Sequence, residues 1–319
     1  MRLASVRIDG AVRLGIVRDA AFWPIEILNQ AISAAPPIPT DPLALIEAGA
    51  PAMEHIEEAI ERCAAQGSPE PIPLSAAAWA PPIPNARKLL CVAGNYAAHL
   101  TEGGAEAPSA GDTLPPRVFM KPPSTTMIGS GEPVILPRDS VAVDWELELG
   151  VVIGRRARRV TSSEAKEYIY GYTIVNDVSE RRFDPGPRSR ARPGDDFFDW
   201  LNGKWHDTFA PIGPVVVTAD EVGDPHRLRL VLEVNGEVQQ EASTSQMLDS
   251  VYDLVAFFSR IMTLEPGDII ATGTPSGVGD AKGRYLMPGD VMKGSIEGLG
   301  TLVTPVIAEA AAGPFPQAR

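Results

Sequence analysis

The chain has 319 residues, 44% of them hydrophobic, 22% charged and 6% aromatic, and its 28 Lys plus Arg face 41 Asp plus Glu for a formal net charge of −13. That composition describes a folded chain with room for one large domain, or one large and one small, and excludes disorder for its bulk. The acidic balance speaks against nucleic acid or an anionic membrane surface as partner; no apolar run reaches the roughly 18–20 residues of a membrane span, and the first residues hold no signal-peptide core, so a cytoplasmic protein is expected.

The first elements are a hairpin. Leu3–Ile8 and Ala11–Val17 flank Asp9-Gly10, a pair suited to a tight turn. Residues 51–66 read as a helix, with Met53, Ile56, Ile60 and Cys63 recurring at three and four, Pro51 in the first turn and Gly67 to cap the end. Six prolines between Ser68 and Pro84 suggest a linker, which makes 1–80 a small α/β domain. Beyond it, 81–308 is dominated by short strands: Lys88–Ala93 as a buried strand, Asn235-Gly236 as a second hairpin turn, and Pro-Gly-Asp at 193–195, 266–268 and 288–290 as strand connections. Helical patterns are confined to the stretch after Asn95, to 162–169 and to 247–262. The fold class is therefore α+β, mainly β, with a sandwich, roll or barrel as the larger domain and 309–319 as a flexible tail. Cys63 and Cys91, each among apolar residues and without metal spacing, read as buried thiols of a reducing compartment.

Chemistry concentrates in a few places. In Asp144-Trp-Glu146-Leu-Glu148-Leu149 strict alternation puts three carboxylates on one strand face. That is either the solvated side of an edge strand or, given the apolar Gly150–Ile153 that follows, a buried acidic site requiring a cation. With Asp177 at the end of another apolar strand, Glu146 and Glu148 would form an all-oxygen site for Mg2+ or Mn2+, a site type that Ca2+ can also fill in crystals. His99 and Glu102, three apart, pair on one face if the segment is helical; such a pair suits a general base and is equally compatible with a surface contact. Lys121 and Lys204, each among apolar or aromatic residues, could hold an anionic substrate or snorkel to the surface. Thr272–Gly279 is a glycine-rich turn with no phosphate-loop ending and no following helix, able to offer hydroxyls and N–H groups to a carboxylate. Arg181, Arg182, Arg188, Arg190 and Arg192 crowd one loop, either solvated surface or a lid that recruits an anionic substrate, with Arg181 nearest the chemistry.

As a set these pieces resemble the fumarylacetoacetate hydrolase family. The resemblance rests on Gly94-Asn-Tyr-x-x-His-x-x-Glu102, Val118-Phe-x-Lys121, Asp144-x-Glu-x-Glu-Leu149, Gly171-Tyr-x-x-x-Asn-Asp-Val-Ser179, Lys204, Gly213-Pro, Asn235-Gly-Glu and Thr272-Gly-Thr-Pro-x-Gly-Val-Gly279. It covers 88–305 in unbroken order. It departs after Arg181, where many members keep an acidic residue and then Gln, whereas here Arg182-Phe-Asp184-Pro185 and an arginine-rich insert follow.

The resemblance implies a mixed β-roll around a divalent metal, usually as a homodimer. Glu146, Glu148 and Asp177 would be the metal ligands, with His99 and Glu102 as the catalytic dyad and Lys204 as a third catalytic residue in contact with the substrate. Asn95, Tyr96, Lys121, Arg181 and Thr274 would lie on the substrate side. The expected activity is metal-dependent hydrolysis of a C–C bond in a 2,4-dioxo acid such as an acylpyruvate. The alternatives are an isomerase, tautomerase or decarboxylase on the same metal site, or a non-catalytic module that binds small dicarboxylates.

Overall fold

A computed structural model describes residues 1–32, 37–74, 78–106 and 114–310; residues 311–319 of the expected tail lie outside the described residues. Both hairpins form where the turn dipeptides place them. Arg2–Ile8 pairs with Ala11–Arg18 through Asp9 and Gly10, and Arg229–Val234 with Glu237–Ser243 through Asn235 and Gly236, all four turn residues having positive φ. That geometry matches the right-handed twist of the flanking strands. The first helix predicted from spacing spans Ala50–Gln66, buries Ile56, Ile60 and Cys63, and ends on Gly67 in the left-handed conformation.

A twelve-stranded mixed sheet organises the molecule. Its central run is Arg2–Ile8, Ala210–Thr218, Ile169–Asn176, Leu147–Ile153, Ile269–Ala271 and Leu89–Ala93, the last two parallel and the others antiparallel. One face packs on a five-stranded sheet built around Arg229–Val234 and Val291–Ile296, in a core that includes Trp145, Leu147, Leu149, Val151, Leu230 and Leu232. The other face is covered by the helices Ile25–Ala31 and Ala50–Gln66, where Leu28, Ile56 and Ile60 meet Leu89, Cys91, Val152 and Val216. Successive residues of Leu147–Ile153 thus serve two different cores, and the strand is buried throughout. Both cysteines are buried, as expected.

Several expectations change. The proline-rich stretch carries strand: Ile72–Pro73 pairs with Ala21–Pro24, and Ala78–Ala80 with Arg2–Ile8, both as edge additions that proline tolerates. Residues 75–77 within it lie outside the described residues. Of the three Pro-Gly-Asp turns, two lead into strands, but Gly194 precedes a helix, Asp195–Asn202. The helix expected after 162 is a 3-10 turn, Ala165–Tyr168, and the one expected at 247–262 is Val251–Ile261. Helices Ile25–Ala31 and Pro42–Ala48 are additional.

The sheet runs without interruption across residue 80, because Arg2 and Leu3 pair with Val217 and Val216. Ser5 also donates a hydrogen bond to the carbonyl of Pro82 at 2.9 Å. A chain beginning at residue 81 should therefore expose the Ala210–Thr218 edge and the apolar face over Leu89 and Val152. It is expected to be insoluble or to melt well below the full chain. Recovery of a soluble 81–319 chain with the parent's melting temperature would show instead that the first 80 residues are separable.

Candidate active site

The acidic cluster arises from strand register. Leu147 pairs with Asn176, so Glu146 and Asp177 lie across from each other at the ends of adjacent antiparallel strands, with Glu148 two residues further in. The alternation predicted from Asp144 to Leu149 keeps Trp145, Leu147 and Leu149 in one apolar core, but the strand itself is interrupted. Regular pairing stops at Asp144 and resumes at Leu147, and Glu146 instead receives the side-chain carbonyl of Asn176 on its N–H at 2.9 Å and accepts from the Asp177 N–H at 2.8 Å. Glu146, Glu148 and Asp177 are all buried and each offers an oxygen within 4.8 Å of the others. The solvated-edge alternative is thereby excluded.

Asp144 takes another path. It accepts from the Arg181 guanidinium (2.9 Å) and from the backbone N–H groups of Gly279 (2.6 Å) and Asp280 (2.9 Å). Arg181 reaches on to Glu146 at 2.5 Å. Lys204 bridges Glu146 (2.9 Å) and Asp177 (2.7 Å), while Lys121 binds Asp177 (2.5 Å) and the carbonyl of Val178 (2.8 Å). Burial opposes ionisation of Glu146, but Lys204 and Arg181 hold its carboxyl far below the usual carboxylate range. Glu148 has no such cation. Burial, with Asp177 and Glu146 alongside, pushes its carboxyl well above its ordinary value, against the Gly273 N–H at 2.7 Å and the charge of Lys204, which favour its ionised form.

The residues fit a hard divalent cation. Three carboxylates converge, and Oε1 of Glu148 is buried without a hydrogen-bond partner, an arrangement that costs free energy unless a proton or cation fills it.

The glycine-rich turn organises the acids rather than presenting free donors. Its N–H groups at Gly273, Gly277 and Gly279 go to Glu148, Glu102 and Asp144 respectively. Gly277, at φ 103°, lies so close to Gln239 that a Cβ there would fall 2.1 Å from its carbonyl oxygen. Contrary to expectation a short helix, Gly279–Lys282, does follow.

His99 and Glu102 pair as their spacing predicts. They lie on the helix Ala97–Glu102 with Nδ1 of His99 2.8 Å from Oε1 of Glu102, whose other oxygen accepts from Gly277 at 2.7 Å. An ionised Glu102 can only accept, so it assigns the proton to Nδ1 and leaves the Nε2 lone pair available. Both residues line a cavity of about 900 Å3, together with Arg181, Leu100, Val118, Phe197 and Trp200.

Of the residues expected on the substrate side, Arg181 lines that cavity. Asn95 is occupied in holding loops together: it donates to the carbonyls of Asp249 and Thr272 and accepts from the Asp249 N–H. The hydroxyl of Thr274 donates to Leu147 and accepts from Gln240. Lys121 is buried beneath Asp177, and Tyr96 is buried with an unpartnered hydroxyl, its phenol pushed up by burial and by Glu148. Lys204 is buried behind the cavity wall, its ammonium 5.1 Å and 5.6 Å from the ring centroids of Phe119 and Trp200. The arginine-rich loop splits: Arg188 pairs with Asp199 and Arg192 with Asp195, both acids on the helix Asp195–Asn202, so only Arg181 reaches the cluster. Sequence reasoning missed Phe197 and Trp200 in the wall, although Phe197-Phe198-Asp-Trp200 just before Lys204 is the densest aromatic run in the chain.

The chain belongs to the fumarylacetoacetate hydrolase C-terminal family, whose model matches residues 88–307. Several of its relatives are enzymes, of different kinds. It is 43% identical over 223 residues to a 2,4-didehydro-3-deoxy-L-rhamnonate hydrolase of a Sphingomonas species, covering 69% of this chain and 73% of that protein. It is 38% identical over 238 residues to the mitochondrial oxaloacetate tautomerase FAHD2A of Bos taurus, covering 74% and 71%. Among solved structures it resembles maleylpyruvate hydrolase from a Sphingobium species in complex with manganese(II) and pyruvate, with a TM-score of 0.72, 32% identity and coverage of 97% and 100%. It also resembles a probable 2-hydroxyhepta-2,4-diene-1,7-dioate isomerase from Mycobacterium abscessus, with a TM-score of 0.75, 29% identity and coverage of 98% and 100%. No helix among the described residues is long and apolar enough to cross a membrane.

Because the folded-state carboxyl of Glu148 is raised, the metal-free fold binds that proton more tightly than the unfolded chain and loses stability as pH rises past the ordinary carboxylate value. A cation must displace the same proton. The rise in melting temperature on adding Mn2+ or Mg2+ should therefore be small near about pH 5 and larger near about pH 8. Glu148→Gln should abolish both the rise and its pH dependence, as read by scanning calorimetry. A cation-induced rise that persists in the variant would show that Glu148 is not a ligand.

Proposed function

We propose that the protein is a divalent-metal-dependent hydrolase that cleaves the C–C bond of an acylpyruvate-type 2,4-dioxo acid. The observation that carries this reading is the His99–Glu102 pair, lining the same cavity as Arg181 and backed by the Glu146–Glu148–Asp177 cluster. Mn2+ or Mg2+ on those three carboxylates would supply charge neutralisation and Lewis-acid polarisation of the substrate's keto oxygen. The manganese and pyruvate bound to the related maleylpyruvate hydrolase support both the ion and the product half of the substrate.

The chain's own residues do the rest. His99, fixed by Glu102 with its Nε2 lone pair free, takes a proton from a water in the cavity. The water oxygen bonds to the distal carbonyl carbon, and the C–C bond to the pyruvate fragment then breaks, its electron pair passing to the methylene carbon. Lys204 and Arg181 offset the negative charge as it develops. The proton held on His99 returns to that carbon, giving a carboxylic acid and pyruvate.

A second reading has its own support, in the likeness to a tautomerase and to an isomerase. There His99 would move a proton between carbon and oxygen without activating water. The products separate the two: pyruvate released from an acylpyruvate indicates hydrolysis, and enol–keto conversion of oxaloacetate without release indicates tautomerisation. His99→Ala should lower the turnover of hydrolysis about 10²–10⁴-fold, the usual range for a lost general base, while Mn2+ affinity by calorimetry stays near the parent's. A variant with parental turnover removes His99 from the chemistry.

A further inference from the structure

The cavity is larger than a pyruvate unit requires, and part of its wall is aromatic. Its volume of about 900 Å3 is near the upper end of the roughly 300–1,000 Å3 that accommodates drug-sized ligands. The polar groups His99, Glu102, Arg117, Arg181 and Asp280 share it with Phe197 and Trp200. Phe197 and Trp200, three apart on the helix Asp195–Asn202, stand with ring centroids 5.8 Å apart and planes inclined by 30°. Trp200 is braced from behind by Phe119, edge-on at 5.1 Å. Phe197 is 55% exposed, a large apolar ring at the cavity with Phe198 edge-on to it at 5.5 Å.

The helix that presents these rings is fixed from its other side. Asp195 and Asp199 bind Arg192 and Arg188 of the preceding loop. Asp195, Asp199 and the two cavity-lining aromatics thus divide one short helix between a charged clasp and an aromatic wall. Two of the five arginines that suggested a lid for an anion, Arg188 and Arg192, hold this helix by ion pairs.

We infer that this wall receives the acyl half of the substrate and that the preferred acyl group is apolar and aromatic, making the natural substrate class aroyl- or arylacyl-pyruvates rather than short acylpyruvates or four-carbon diacids. The inference rests on the acylpyruvate reading above and specifies it. A planar ring entering beside Phe197 gains offset or edge-on contacts and buries apolar surface that a methyl group leaves in water.

Benzoylpyruvate and acetopyruvate differ only at this end. With Mn2+ present, the parent's kcat/KM for benzoylpyruvate should exceed that for acetopyruvate about ten-fold or more, as expected for discrimination by an apolar subsite. Phe197→Ala should reduce that ratio several-fold, and Phe197→Leu should restore part of it. Trp200 is a poorer test because it also borders Lys204. An equal parental ratio, or a Phe197→Ala ratio matching the parent's, overturns the inference; the latter is also the outcome if a second copy of the chain covers Phe197. Should neither acid be cleaved, the hydrolase reading fails on its own account, and calorimetric Kd values decide the pocket. Tighter binding of benzoylpyruvate that Phe197→Ala abolishes sustains the inference, and equal Kd values overturn it.

Discussion

Four carboxylates, Asp144, Glu146, Glu148 and Asp177, lie at the junction of two packed layers with almost no access to water. Leaving one such charge buried and uncompensated is strongly destabilising, so the surrounding chain is committed to compensating all four. Lys121 comes from the end of one strand, Arg181 from the turn after another, and Lys204 from a segment returning through the helix Asp195–Asn202. The return is tight: Gly203 lies against the backbone of Glu180, where a Cβ would fall 2.2 Å from its carbonyl oxygen. Three cations against four acids leave the site one charge short, and Glu148, the acid without a cation of its own, is where the deficit shows.

Much of this was legible in the sequence because it is local. Asp9-Gly10 and Asn235-Gly236 specify hairpins within a few residues, and His99 and Glu102 meet because a helical turn brings i and i+3 together. The buried acidic trio was legible too, although it joins two strands, because acids embedded in apolar runs are too costly to bury without a compensating positive charge. What was hidden depends on long-range pairing or on competition between signals. The union of Arg2–Ile8 with Ala210–Thr218 spans more than two hundred residues and leaves no mark on either strand. The helix Asp195–Asn202 was masked by the arginines and prolines before it, whose charges read as a basic loop until their acidic partners came into view. Asp41-Pro42 is a cap followed by a first-turn proline, a helix signal that was present and passed over; the Asp41 carboxylate accepts from the Ala44 N–H at 2.9 Å.

The site separates two tasks in depth. Lys121 and Lys204, with the acids they pair, are buried behind the cavity, whereas the His99–Glu102 pair, Arg181 and the aromatic wall face it. Residues such as Asn95, Thr274 and Lys121, which look like ligand contacts when read along the chain, spend their hydrogen bonds on the scaffold.

The turn from Thr272 to Gly279 anchors Glu148, Glu102 and Asp144 entirely through main-chain amides. An amide donor belongs to every residue except proline, so no ordinary side-chain replacement can delete these three contacts. The vulnerability is transferred to shape: Gly273 and Gly277 hold conformations that L side chains rarely adopt, and both are crowded by neighbouring segments. The placement of Glu102 beside His99 and that of the buried acids are thereby linked, so that a change in the path of this eight-residue turn would shift both at once.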